Sequence, residues 1–281
     1  MVPQWVIRDL RAECNERSSL AETAIGAKFI VLDMKSAAHP SEILPWKDPI
    51  QASIPPIRQG ALGAVYYGQR RSGDFYDFVR CSPDRVLFAL FDVAGGLEQA
   101  RPVMIALQKK LRKLSTELLA DHSSNEMEAM AEMWIRLNRE VMRVAGGVHQ
   151  CAAFVGCYNE HLQTVSYVNA GHTPGLLRDE KQVEELVATA LPLGLFSHAV
   201  PEPSMVALGS GHLILLLSKG IVEARHRSDE FGLDRAKQYL QELGYQTAHE
   251  TCVGILARVQ QFMGTAPTHN DVTALSLVRS S

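Results

Sequence analysis

The sequence lacks any block of like charge. Lys and Arg number 28 against 31 Asp and Glu, a formal net charge of −3, and the two signs are interspersed, so no nucleic-acid-binding or membrane-binding surface is expected. It also lacks a long apolar run. The longest aliphatic stretch, Leu213 to Leu217, falls well short of the roughly 20 residues a helix needs to cross a bilayer. Met1 to Asp9 contains no basic stretch followed by an apolar core, which makes a cytoplasmic protein the expectation. The five cysteines, Cys14, Cys81, Cys151, Cys157 and Cys252, form no C-x-x-C pair and have no histidines at zinc-finger spacing. A disulfide framework and a zinc module are therefore excluded, and the thiols read as reduced, buried small hydrophobes. What is plentiful is apolar residue, 46% of 281, which supports a large core and excludes a disordered or fibrous chain.

Residues 1–49 differ in texture from the rest. They hold an amphipathic stretch from Trp5 to about Ala24, an apolar run from Phe29 to Met34, and then Pro40, Pro45 and Pro49, a spacing that makes a turn-rich connector. They are expected to form a helix-and-connector extension, with its use open between dimerisation (a homodimer), docking and linking. Residues 50–281 read as one domain. Runs at 61–68, 75–80 and 85–93, separated by R-R-S-G and S-P-D, predict three sequential antiparallel strands. The third is apolar on both faces and should be central.

Val103, Leu107, Leu111, Leu114 and Leu118 share one helical face, as do Met127, Met130, Trp134, Leu137, Val141 and Val144 after a Ser123/Glu126 capping box. These predict two amphipathic helices in series, and the methionine and tryptophan stripe reads as core rather than a cofactor box. Strands return at 151–158, 162–168, 174–178 and 212–218. A second helix pair follows, carrying Leu233, Ala236, Leu240 and Leu243 and then a Thr247/Glu250 capping box, and D-V-T-A-L-S-L-V closes the chain's pattern. This order is α+β, with helix pairs covering two faces of packed sheets.

Acidic residues stand at strand ends in S-G-D-F-Y-D-F at 72–78, F-D-V-A-G-G at 91–96 and H-N-D-V-T at 269–273. Oxygen ligands converging from separate strands suit a hard cation such as Mg2+ or Mn2+. With I-Q-A-S-I-P-P at 50–56, Y-V-N-A-G-H-T-P at 167–174, L-P-L-G at 191–194, L-S-K-G-I-V-E-A at 217–224, D-E-F-G at 229–232 and N-D-V-T at 270–273, the chain resembles the PPM superfamily of metal-dependent protein serine/threonine phosphatases. The likeness is to the bacterial branch typified by stage II sporulation protein E, over about residues 50–278. The resemblance implies an α-β-β-α sandwich of two antiparallel sheets flanked by helix pairs. It implies hydrolysis of phosphoserine or phosphothreonine with two divalent cations held by four Asp side chains and one backbone carbonyl.

Carried over residue by residue, the resemblance makes Asp74 and Asp92 metal ligands, with the Val93 carbonyl as the backbone ligand. The other two positions carry Lys219 and Asn270, so at most one Mg2+ or Mn2+ is expected. Asp271 should alternate away from Asn270, onto the side of Thr273, Leu275 and Leu277, and that side is taken to face away from the cleft. Ser72, Ala94 and an irregular link from Gly95 to Pro102 are further departures. The Lys219 ammonium is expected to fill the space of one metal and pair with Asp92; the plainer alternative is a solvated turn lysine. His172 reads as a hydrogen-bonding loop residue rather than a general acid, and Glu223 as a cap or brace for the following helix. Arg71, Arg80 and Arg225 lie near the motifs and could hold a small phosphate compound.

Two functions follow. One is a phosphatase, weak or inactive, acting on a phosphorylated bacterial regulatory protein. The other is a pseudophosphatase of the same fold that only binds it.

Overall fold

The structure is a computed structural model that describes residues 52–67, 73–145, 150–244, 246–264 and 271–280. The extension expected over residues 1–49, with Cys14, lies outside the described residues, as do Arg71, Ser72 and Asn270. The elements in order are β1 (Gly60–Tyr67), β2 (Gly73–Ser82), β3 (Arg85–Val93), α1 (Leu97–Leu119), α2 (Glu126–Ala145), β4 (Cys151–Asn159), β5 (Thr164–Ala170), β6 (Gly175–Arg178) and β7 (Val183–Leu186). They continue with β8 (Ser204–Ala207), β9 (Leu213–Leu217), α3 (Lys219–Val222), β10 (Arg225–His226), β11 (Asp229–Glu230), α4 (Gly232–Glu242), α5 (Ala248–Met263) and β12 (Val272–Arg279).

Two five-stranded antiparallel sheets, ordered β2-β3-β4-β5-β8 and β1-β12-β9-β6-β7, pack face to face. Their side chains sort by the two-residue period of a strand. In β3, Leu87, Ala89, Phe91 and Val93 join Leu107, Leu111, Met130 and Trp134 beneath α1 and α2. Val86, Phe88 and Leu90 face the other sheet, meeting Phe154, Ile214, Leu275 and Leu277. Leu215, Leu217, Ala274 and Val278 turn outward, under Ala236, Leu240, Ile255 and Val259 of α4 and α5. This is the expected α-β-β-α sandwich, with β3 buried on both faces. Cys81, Cys151, Cys157 and Cys252 are buried free thiols. No helix among the described residues is long and apolar enough to cross a membrane.

Three local expectations are corrected. The first strand does not pair with the second: β1 lies in the opposite sheet against β12, from Gly60↔Arg279 to Tyr67↔Val272. Gly63 permits this, since a Cβ there would come within 2.7 Å of the Ala248 backbone in α5. The cap of α2 is Asn125, whose Oδ1 accepts from Met127 N at 3.0 Å and whose Nδ2 donates to Glu128. Glu126 is thereby released from capping and buried against Arg85. The irregular link ends sooner than expected, because α1 begins at Leu97 and carries Pro102 within it. The missing proline N–H leaves the Glu98 carbonyl without its helical donor.

Candidate active site

Asp74 and Asp92 are register partners on β2 and β3. Cross-strand partners stand side by side on one face. Asp74 lies in the alternation of Tyr76 and Phe78, and Asp92 in that of Phe88 and Leu90, so both point into the space between the sheets, at its rim. The turn that follows is fixed by Ala94 N donating to Gln150 O at 2.9 Å and by Gly95 at φ 107°. Burial, helped by the charge of Asp92 and then of Asp271, pushes the Asp74 carboxyl up to about 8, while nearby hydroxyls of Ser218 and Thr273 pull it down. Asp92 is also raised, first by burial; Lys219 lowers it and Glu223 raises it. Two carboxylates on one face, both reluctant to ionise, are a signature of a functional site.

The second sheet completes the rim. Ser218 follows β9 and is tied to β12 twice: its N–H donates to Thr273 O, and its Oγ accepts from Thr273 N, each at 2.9 Å. Asp271, 2% exposed, precedes β12. It does alternate with Thr273, Leu275 and Leu277, but the direction assigned to that face is corrected here. Leu275 and Leu277 point between the sheets, and the Asp271 charge reaches Asp74. Both faces of β12 are apolar, so pattern alone could not tell the cleft side from the helix side.

Lys219 is corrected too. It is the first residue of α3 and exposed, and it makes no ion pair within 4.0 Å among the described residues. Its charge is nonetheless felt at Asp92. Glu223 closes α3, its N–H donating to Lys219 O at 2.8 Å, and does not brace the following helix. The neighbouring arginines are engaged elsewhere, Arg80 with Glu160 and the Pro56 carbonyl, Arg225 with Glu230.

His172 sits on the loop after β5, 5% exposed. Its N–H donates to Asn169 Oδ1 at 2.8 Å, while Asn169 Nδ2 donates to Leu186 O at 3.1 Å. Thr173 Oγ1 donates to the Leu217 carbonyl, which clamps this loop beside Ser218 and Lys219. Burial pushes the imidazole down to about 4. Sequence reasoning had singled out His172 but missed Ser218, Thr273 and Asn169, since nothing in their spacing announces that three loops meet.

The donor set consists of hard oxygens: the Asp74 and Asp92 carboxylates and the Val93 carbonyl. A Cβ on residue 73 would fall 2.2 Å from Val93 O, so glycine keeps that carbonyl uncovered. Among the described residues no group of three or more His, Cys, Asp and Glu side chains is arranged to hold a metal. Carboxylate and carbonyl oxygens are the ligand chemistry that a hard divalent cation such as Mg2+ takes.

A sequence model of stage II sporulation protein E matches residues 82–280. The chain is similar to the phosphoserine phosphatase RsbP of Bacillus subtilis, 24% identical over 153 residues that cover 54% of this chain and 37% of the relative. It is also similar to protein IcfG of Synechocystis, 22% identical over 199 residues, 64% of this chain and 31% of the relative. The chain thus spans about a third of the length of these curated relatives. Among solved structures, the SiaA PP2C domain of Pseudomonas aeruginosa superposes with a TM-score of 0.65 at 16% identity, covering 78% of this chain and 86% of that one. The RsbU and RsbW domains of a Mycobacterium tuberculosis protein give 0.65 at 22%, covering 84% and 64%. RsbX in complex with magnesium gives 0.57 at 12%, covering 82% and 100%. At these identities the superpositions establish the fold.

Proposed function

Because the chain belongs to the stage II sporulation protein E family of PPM-type phosphatase-like domains, we propose that it acts on, or recognises, a phosphoserine or phosphothreonine of a bacterial regulatory protein in the cytoplasm. The observation that carries this is the Asp74–Asp92 pair, set in register at the rim between the sheets. On this reading residues 50–281 are the phosphatase-like domain and 1–49 an extension to it. One Mg2+ or Mn2+ is held by Asp74, Asp92 and the Val93 carbonyl. When bound, such an ion lowers the pKa of a coordinated water and offsets phosphate charge. The protein's own contribution is to hold two carboxylates at a fixed cross-strand spacing and to set the Ser218 hydroxyl, locked to β12, beside Asp74. Asp74, Asp92 and Asp271 against Lys219 leave two negative charges, which one divalent ion balances; exposed Glu223 adds a solvent-screened charge at the edge.

A second reading, a binding module without turnover, is favoured by Lys219 and Asn270 at the two positions where the resemblance places carboxylates. Calorimetric titration of Mn2+ and Mg2+ beside hydrolysis of a phosphoserine peptide separates the two. Turnover by the natural sequence that Asp92→Asn abolishes establishes the enzyme. Turnover that appears only in Lys219→Asp with Asn270→Asp establishes the binding module. Failure of any phosphopeptide to bind or turn over, with either ion, defeats both.

A further inference from the structure

The segment between β7 and β8 is uncharged and apolar. From Leu186 to Pro201 it contains no Lys, Arg, Asp or Glu, and within it Val187, Leu191, Leu195, Phe196 and Val200 are exposed, Phe196 by 56%. Loops ordinarily turn polar residues to water, and clustered exposed apolar side chains mark a contact surface. The backbone beneath them is fixed. Asn138, 2% exposed on α2, accepts at Oδ1 from Gly194 N at 2.7 Å and donates from Nδ2 to the Phe196 carbonyl at 2.9 Å. Buried Leu193 exchanges both of its backbone hydrogen bonds with Cys151, each at 2.8 Å. Leu195 and Phe196 thus form an apolar ledge on a backbone tied to α2 on one side and to β4 on the other.

The ledge stands at the same end of the first sheet as the acidic pair. There β3 ends at Val93, β4 begins at Cys151 and β5 ends at Ala170. Val93 is the register partner of Cys151, and Cys151 is in turn the bridge partner of Leu193. The same segment is tied to the end of β5, where Thr189 N and Ala190 N donate to the Asn169 carbonyl at 2.8 and 3.0 Å. Two ladder spacings put the Leu193 backbone about 10 Å from that of Val93. An extended chain covers roughly 3.3–3.6 Å per residue, so a peptide whose phosphate lies at Asp92 reaches Leu195 and Phe196 about three to six residues away.

A stable dimer uses roughly 20–30 residues a side. The five exposed apolar side chains of this segment fall far short of that, so the ledge is too small to hold a second copy by itself. It suits a partner already gripped elsewhere, and the neighbouring cleft supplies that grip. Without charge, it offers nothing to an acidic or basic segment and favours an apolar side chain. We propose that Leu195 and Phe196 are specificity-determining residues that receive an apolar side chain of the phosphorylated partner, a few residues along its chain from the phosphoserine or phosphothreonine. This rests on the phosphatase-like reading above and narrows its substrate class to phosphorylated sites with an apolar neighbour.

The test uses the full chain with Mn2+ and a series of phosphoserine peptides built from glycine and serine, each with one leucine moved outward residue by residue on either side of the phosphoserine. Calorimetry should show binding about fivefold tighter than to the leucine-free peptide when the leucine stands about three to six residues away on one side, the scale of half-burying one leucine. Where the chain turns these peptides over, the same ratio is expected in KM and not in kcat, since the contact is made equally before and at the transition state. Leu195→Ser with Phe196→Ser, both at exposed positions, should bring the ratio to about one. Equal affinity for every member of the series in the natural protein overturns the ledge and leaves the phosphatase-like reading standing. A ratio that persists in the double variant overturns the assignment to Leu195 and Phe196. A dimer, seen by sedimentation, that the double variant dissociates gives the ledge to a second copy and overturns the proposed partner. Phosphopeptides that all fail to bind, with Mn2+ and with Mg2+, overturn the reading beneath it.

Discussion

Two of the places where the described residues bury charge are treated in opposite ways. At the turn between α1 and α2, Arg85 and Glu126 are each 5% exposed. Arg85 Nε donates to Glu126 Oε1 at 2.7 Å, and its other four N–H groups go to the carbonyls of Leu119, Asp121, His122 and Ser124. Glu126 also accepts from Asn159 and Ser166. Every guanidinium proton is used, and the knot fastens the helix hairpin to β3, β4 and β5. At the rim between the sheets, Asp74 stands beside Asp92 with the same sign, and the protein's own cation, Lys219, stays outside contact distance. Where charge serves the fold, the chain neutralises it internally; where charge serves the site, it does so only in part.

Three measurements test how differently the two places behave. The largest effect is expected at the knot. Glu126→Leu or Arg85→Met alone should cost about 3–5 kcal/mol, since each leaves a buried charge without its partner. The double change should cost clearly less than the sum, because both remove one interaction. Urea unfolding checks this, and a loss below about 1 kcal/mol for either single change would mean the knot is not the anchor described.

Next comes His172, a buried base the chain satisfies on one side only. Its folded value of about 4 lies below the ordinary value of about 6.5. Between those limits the unfolded chain binds more protons than the folded one, so stability is full above about 6.5 and is lost as pH falls toward 4, by up to about 3 kcal/mol. His172→Phe should remove this one-proton contribution, leaving the opposite slope that the raised Asp74 carboxyl gives in both proteins. An unchanged slope would show that some other group carries it.

The smallest effect is expected at the acidic pair. Without metal and above about pH 8, where the raised Asp74 carboxyl is ionised, Asp92→Asn should raise stability by about 1 kcal/mol by removing a like charge directly opposite Asp74, and the same change should weaken Mn2+ binding in the calorimeter. A destabilised Asp92→Asn would mean that the pair is held together by contacts the fold itself requires.

Periodicity made much of this legible. The double-sided apolar run of β3, the stripes of α1 and α2, and the Thr247/Glu250 capping box all appear where the residues placed them. Asp74 and Asp92 could be named because they stand in motifs, S-G-D-F-Y-D-F and F-D-V-A-G-G, that resemble those of the phosphatase family. Three things were not legible, each for a physical reason. The pairing of β1 with β12 is a contact between distant segments, which local pattern does not encode. Asn125 displaced Ser123 as the cap because Glu126 is drawn into the buried knot, a tertiary demand. Asp271 was assigned the wrong side because a strand buried on both faces carries no polar face to orient it.

The place of β12 has a consequence for how the protein is made. This strand lies between β1 and β9, so the second sheet is two disconnected pieces until residues 272–279 arrive. The same strand brings Thr273, and the residue before it Asp271, up to an acidic pair built roughly 180–200 residues earlier on β2 and β3. During synthesis Asp74 and Asp92 can be in register long before the wall opposite them exists. The cleft therefore gains its second wall only once β12 has joined β1 to β9.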